Sequence, residues 1–167
     1  MSAQVPRIWS PGKARWLLNH YPPWWFQRIR VVELADDFRV ARVLVPRSLL
    51  TRNLNGTTFG GTIFSAADPL YPVMYWQIFA RRGERLQVWL KAGRIDYRKP
   101  AATALTLEFR LRPDDLEAVA ADLAAAGKSV REHHIAAVDA AGDVCAAVDA
   151  VVYLRRLRPD QMEVSGF

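Results

Sequence analysis

Residues 61–79 form an apolar run that carries one charged side chain, Asp68, among Ile63, Phe64, Leu70, Val73, Met74, Trp76 and Phe79. A stretch of this length, apolar on nearly every face of a helical wheel, predicts a helix that needs burial on all sides. The chain around it follows a different period. Apolar and polar residues alternate over 28–46 about Asp36 and Asp37, which predicts a β-hairpin, and strand-like segments follow over 86–98, 103–112, 130–138 and 143–155. An alanine-rich helix opens at Pro113 and stops at Gly127, and a shorter amphipathic helix spans 11–20 before Tyr21-Pro22-Pro23. Two strands, a helix and four strands predict an α+β fold in which an antiparallel sheet wraps around one long central helix. One sheet covers one side of a helix. The uncovered side and the open sheet edges therefore predict a homodimer or a dimer of dimers.

Pro69 and Pro72 lack the N–H groups that would serve the carbonyls of Ser65 and Asp68, so the central helix is expected to bend or break beside Asp68. The Ser65 carbonyl, freed in an apolar setting, is expected to need water or substrate as its donor.

The loop that feeds this helix reads Asn53-Leu54-Asn55-Gly56-Thr57-Thr58-Phe59-Gly60-Gly61. Glycines let backbone N–H groups come close to an oxygen atom, and the helix behind them concentrates partial positive charge there, so such an end suits a carbonyl oxygen. Asp68 is the only acidic residue between Asp37 and Glu84. It returns to the face of Gly61 but lies roughly 10 Å further along the axis. One helix cannot apply both groups to one carbonyl; if both act, the carboxylate comes from a second, antiparallel copy across a twofold axis. As a buried carboxylate in apolar surroundings, Asp68 is expected to have a raised pKa. Each residue also has a purely structural reading. Asp68 before proline suits a helix cap, the glycines suit close helix–sheet packing, and Asn53 and Asn55 suit a turn.

The pattern Asn-x-Asn-Gly-Thr-x-x-Gly-Gly, followed by Ala67-Asp68 within a helix, resembles the hot-dog-fold acyl-CoA thioesterases, nearest the phenylacetate-degradation (PaaI-like) type and its uncharacterised relatives. Arg94-Ile95-Asp96-Tyr97-Arg98-Lys99-Pro100-Ala101 resembles the strand signature of the same fold. The resemblance implies hydrolysis of an acyl-CoA thioester to the free acid and CoA, with no cofactor beyond the CoA of the substrate. It implies a catalytic role for Asp68 as base or nucleophile, with Asn53 and Gly61 beside it. Asn55, Gly56, Thr57, Phe59 and Gly60 are implied to contact substrate, and Lys91, Arg94, Arg98 and Lys99 to hold the CoA phosphates. It places a hot-dog domain over 28–157, an N-terminal helix and aromatic segment over 1–27 packed on it, and a tail over 158–167. This chain departs from the pattern in two places. Phe59 stands where the family commonly has the histidine of His-Gly-Gly, and Asn55 where many members have a histidine.

A net charge of +6 suits an anionic partner such as CoA, and with no nucleic-acid-reading motif or long basic run no nucleic acid is expected. No apolar run reaches about 18 residues, and the first dozen residues hold Pro6, Arg7 and Pro11 rather than a signal peptide. A cytoplasmic protein without a membrane partner is the expectation. The single cysteine, Cys145, reads as a buried strand residue, and His20, His133 and His134 lack metal-ligand spacing, so no metal is expected. The run Trp24-Trp25-Phe26 reads as a lid on the sheet or as one wall of an acyl tunnel, with Met74, Tyr75, Trp76 and Trp89 as further candidates for its lining.

Two other functions stand beside hydrolysis. A non-catalytic acyl-CoA or fatty-acyl binding protein is favoured by Phe59 in place of histidine. A dehydratase or hydratase on the same fold wants a histidine facing a carboxylate, and the loop holds none.

Overall fold

The computed structural model describes residues 6–157. The tail expected over 158–167 lies outside the described residues. Helix α1 (Pro11–His20) starts where Ser10 accepts from the Lys13 N–H and Pro11 fills the first turn. A one-turn helix α2 (Pro22–Phe26) follows, then strands β1 (Arg30–Leu34) and β2 (Val40–Val45), a 3-10 turn at Leu49–Thr51, and helices α3 (Gly60–Ala67) and α4 (Leu70–Arg81). Strands β3 (Leu86–Tyr97) and β4 (Leu105–Arg110), helix α5 (Pro113–Ala126), and strands β5 (Lys128–Val138) and β6 (Val144–Arg156) complete the order. The six strands make one antiparallel sheet in the order β1-β2-β4-β5-β6-β3, wrapped around the α3–α4 pair. This is the hot-dog architecture.

The central helix breaks where its prolines require. Asp68 closes α3 and Pro69 opens α4. The Ser65 carbonyl, expected to wait for water or substrate, instead accepts from the Trp24 indole at 2.9 Å. That bond explains the burial of Trp24, while Trp25 and Phe26, which the sequence offered as lid or tunnel wall, point away and stay exposed. Trp24→Phe keeps the ring and removes the N–H. It is expected to cost about 1–3 kcal/mol, the penalty for orphaning a buried carbonyl, read as a shift of the denaturant midpoint.

The expected uncovered side of the helix is confined to α3, where Gly61 and Asp68 are exposed and Phe64 and Ser65 half-buried. Within one chain every α4 residue from Leu70 to Ala80 is buried except the half-buried Trp76. The cover is the segment before α1: Trp9 packs edge-on against Trp76 at 4.8 Å, its backbone N–H donates to Gln77 Oε1, and Arg81 reaches the Trp9 carbonyl. Apolarity of α4 therefore does not require a second copy. The sheet edge is a separate matter, because β3 lies at the end of the sheet and most of its second half is exposed.

His133 lies in the core between two tyrosines. Its ring stacks on Tyr71 at 3.9 Å and its Nε2 meets the Tyr75 hydroxyl at 3.0 Å, while burial holds its pKa down at about 4. His134 points the other way and pairs with Asp149 on the exposed face. Cys145 is buried, with its thiol pushed up by desolvation.

Candidate active site

The loop before α3 is shaped by its own side chains. Asn53 Oδ1 accepts from the Asn55 and Thr57 N–H groups, its Nδ2 donates to Thr57 Oγ1, and the Gly56 N–H closes on the Asn53 carbonyl with Gly56 at a φ of 76°. A residue with a side chain would strain that turn. The loop is then pinned at three points. Arg52 bridges Thr58, the Thr58 N–H donates to the Ala101 carbonyl, and the Phe59 N–H donates to the Thr51 carbonyl at 2.7 Å. These bonds deliver Gly60 and Gly61 to the start of α3.

That helix start carries no side-chain cap. Its first bonds are Thr62 and Ile63 N–H to the Phe59 carbonyl, which leaves the Gly60 and Gly61 N–H groups without an acceptor among the described residues. An open cleft of about 820 Å³ lies there, lined by Asn53, Asn55, Thr57, Phe59 and Gly60 from the loop and by Tyr97, Arg98 and Lys99 from the end of β3. Two amide donors at a helix N-terminus beside an open cleft can hold a developing oxyanion.

Two aromatic rings roof these donors. A Cβ built on Gly60 would stand 2.5 Å from the Tyr97 hydroxyl, and one on Gly61 would collide with the Phe59 ring. A side chain at either glycine would displace the ring above it. Phe59, at the family's histidine position, is the cover of Gly61. Tyr97 is the site residue that sequence reasoning left without a role. Its signal was available, as the aromatic residue at the end of a long strand before the basic-proline turn. Partial burial raises the Tyr97 hydroxyl pKa and keeps it a neutral donor.

The basic cluster divides. Gly93 faces Phe64 and Tyr97 faces Gly60, so by the alternation of a strand Arg94 lies on the outer face, opposite Asp149 of β6. Lys91 lies 6.0 Å from the Tyr153 ring, and neither residue lines the cleft. Arg98 does line it, with an exposed pair to Asp96 at 3.2 Å. Lys99 also lines it, but its ammonium is held between Asp139 and Asp143 of the β5–β6 turn, which drives its pKa up. Of the four cations expected to lie together, one is lightly engaged at the cleft. Met74, Tyr75, Trp76 and Trp89 lie elsewhere, the first two in the core and Trp89 against Tyr153.

Asp68 stands outside this cleft, as its distance along the helix required. It is not the buried carboxylate expected: one side is open to solvent, although the surrounding protein removes enough water to push its pKa above the ordinary 3.8. It does not cap α4 either, because Pro69 holds the cap position and no side chain bonds there. Asp68 makes no hydrogen bond or ion pair among the described residues. An acidic group so placed is available to something outside the chain.

The sequence matches the family described as "Domain of unknown function (DUF4442)" over residues 14–154. No curated protein matches it. Among solved structures, a Pseudomonas aeruginosa protein of unknown function, called a probable thioesterase, superposes with a TM-score of 0.81 at 20% identity, covering 91% of this chain and 99% of that one. A thioesterase from Haemophilus influenzae gives a TM-score of 0.66 at 10% identity, with 95% and 99% covered. The PaaI protein of the phenylacetic acid degradation operon of E. coli gives 0.57 at 17% identity, with 89% and 97% covered. At these identities the likeness establishes the shared fold.

Proposed function

We propose that this chain, which belongs to the DUF4442 family, hydrolyses an acyl-CoA thioester to the free acid and CoA as a homodimer or dimer of dimers. The observation that carries the reading is the pair of amides at Gly60 and Gly61, unpaired among the described residues and roofed by Phe59 and Tyr97 at the mouth of the cleft. The thioester oxygen accepts from these amides as negative charge develops on it. Asp68 of a second copy, facing the cleft across a twofold axis, takes the proton of the attacking water or attacks the carbonyl carbon itself. In the first case the hydroxide adds to the carbonyl, and the tetrahedral intermediate collapses with loss of the CoA thiolate, which takes the proton from Asp68; in the second the carboxylate displaces the thiolate to give an acyl–aspartyl anhydride, which water hydrolyses to the free acid and Asp68. Asn53 acts by holding the loop, since its amide is committed to Asn55 and Thr57. Asn55 is left free to meet substrate with its side chain. The exposed edge of β3 suits pairing with a second β3 strand. Thioesterase names among structures of the same fold lend support.

A hydrolysis screen across acyl-CoAs of varied chain length, following release of the free thiol, tests the reading. Turnover of at least one substrate supports it; tight binding of every acyl-CoA without turnover would favour the binding-protein alternative. Arg98 gives the screen a second arm. Arg98→Glu is expected to raise KM more at low salt than at high salt, because an exposed contact to a CoA phosphate is screened by ions. Equal effects at both salts would assign Arg98 to packing.

A further inference from the structure

Two segments near the start of the chain carry one sign of charge. Residues 1–32 contain Arg7, Lys13, Arg15, Arg28 and Arg30 and no acidic residue, and residues 47–59 contain Arg47 and Arg52 and again none. The same two segments carry large apolar side chains turned to solvent: Trp25 is 58% exposed, Phe26 66%, Leu50 68% and Leu49 80%. A cavity of about 640 Å³ joins the segments, with Trp25, Phe26 and Leu50 on its walls beside Arg28 and Arg30. His20 lines it too and stacks on the exposed Trp16 at 4.5 Å. Neither Arg28 nor Arg30 makes an ion pair among the described residues, and Arg28 is held at a φ of 58°, a conformation costly for a long side chain. Nothing in the packing of α2 requires Trp25 and Phe26, since Trp24 alone supplies its inward contact.

We propose that this face docks on the surface of an anionic lipid membrane, with Trp25, Phe26, Leu49 and Leu50 entering the headgroup region and Arg28 and Arg30 meeting lipid phosphates. Tryptophan and phenylalanine flanked by arginine have the chemistry of that interface, where an apolar body meets acyl chains and cations meet phosphate. A second copy of the chain fits less well. In a twofold contact the same acid-free cationic patch would face itself, and like charges repel. The face also continues into the candidate cleft, because Thr51, next to Leu50, accepts from the Phe59 N–H. Docking of this kind needs no spanning segment; among the described residues no helix is long and apolar enough to cross a membrane. It does depart from the sequence expectation of no membrane partner, which weighed spanning segments and a signal peptide and not surface aromatics. The inference stands apart from the proposed hydrolysis.

Co-sedimentation with phosphatidylcholine vesicles, with and without phosphatidylglycerol, tests it on the full chain. Binding is expected only to the vesicles that contain phosphatidylglycerol, and it should weaken as salt rises. Arg28→Asn/Arg30→Gln removes two cations while asparagine tolerates the positive φ, and partition should fall about 25-fold at roughly fivefold per cation. Trp25→Ser/Phe26→Ser should weaken binding with the melting temperature preserved; if that variant is destabilised, Leu49→Ser/Leu50→Ser replaces it. No sedimentation with anionic vesicles at low salt would overturn the proposal, as would full binding by both the charge and the apolar variants. A wild-type oligomer that falls apart in the apolar variants would instead make this face a contact between copies, and the proposal would fail.

Discussion

Asp68→Asn is expected to lower acyl-CoA turnover by about 100-fold to 10,000-fold, the range for a positioned general base, and to leave the melting temperature unchanged. Stability should hold because Asp68 makes no hydrogen bond or ion pair among the described residues and caps neither helix by a side-chain bond. Asparagine keeps the size and an acceptor oxygen while losing the basicity. Retained turnover would remove Asp68 from the mechanism. The pH profile adds a sign. Desolvation raises the Asp68 pKa above 3.8, and the group acts deprotonated, so the acid limb of kcat/KM should lie above that value and vanish in the variant. The same substitution tests the assembly. Co-expression of Asp68→Asn with Gly60→Val, whose Cβ would press on the Tyr97 hydroxyl at 2.5 Å, yields mixed dimers with one doubly defective and one intact composite site. Recovery of about a quarter of the sites is expected on random pairing. No recovery in purified mixed dimers would place both groups in one chain's site.

The sequence reading succeeded where one local rule acts alone. Alternation marked the strands, and two prolines marked the break at Asp68, because a missing N–H cannot be supplied from elsewhere in the chain. It failed where a distant segment supplies the missing partner. The donor to Ser65 is Trp24, far back along the chain, and no spacing rule connects an indole to that carbonyl. The burial of α4 depends on Trp9, whose partners Trp76 and Gln77 lie far along the chain. The basic cluster was legible as composition but not as a site. Strand alternation turned Arg94 outward, and a hairpin turn carrying Asp139 and Asp143 captured Lys99. The turn at Asn53, Gly56 and Thr57 was legible because these residue types shape it locally. Tyr97 was passed over because its importance comes only from the approach of β3 to the start of α3.

Lowering the pH from about 6.5 to about 4 is expected to cost the fold roughly 3 kcal/mol through His133 alone. The ordinary histidine value is 6.5, and burial depresses His133 to about 4, with Arg112, Arg131 and His134 adding to the depression and Asp115 opposing it. Between those pH values the unfolded chain binds a proton that the native chain refuses. Its contribution is therefore complete above about pH 6.5 and is lost as pH falls toward 4. The geometry agrees. A neutral Nε2 can accept the Tyr75 hydroxyl proton at 3.0 Å, whereas a protonated ring would present a second donor to it. His133→Phe keeps a ring against Tyr71 and orphans the Tyr75 hydroxyl, which should cost about 1–3 kcal/mol near neutral pH. Because the variant cannot titrate at this position, its deficit relative to the wild type should shrink, and can reverse, as the pH approaches 4. Glu108 and Asp139, whose pKa values are depressed by Arg110 and by the turn at Asp143, also lose stabilising interactions in acid. They do so in both proteins and cancel in the comparison. Denaturant midpoints measured in parallel across this range decide the matter, and parallel curves would show that His133 is not the group that titrates.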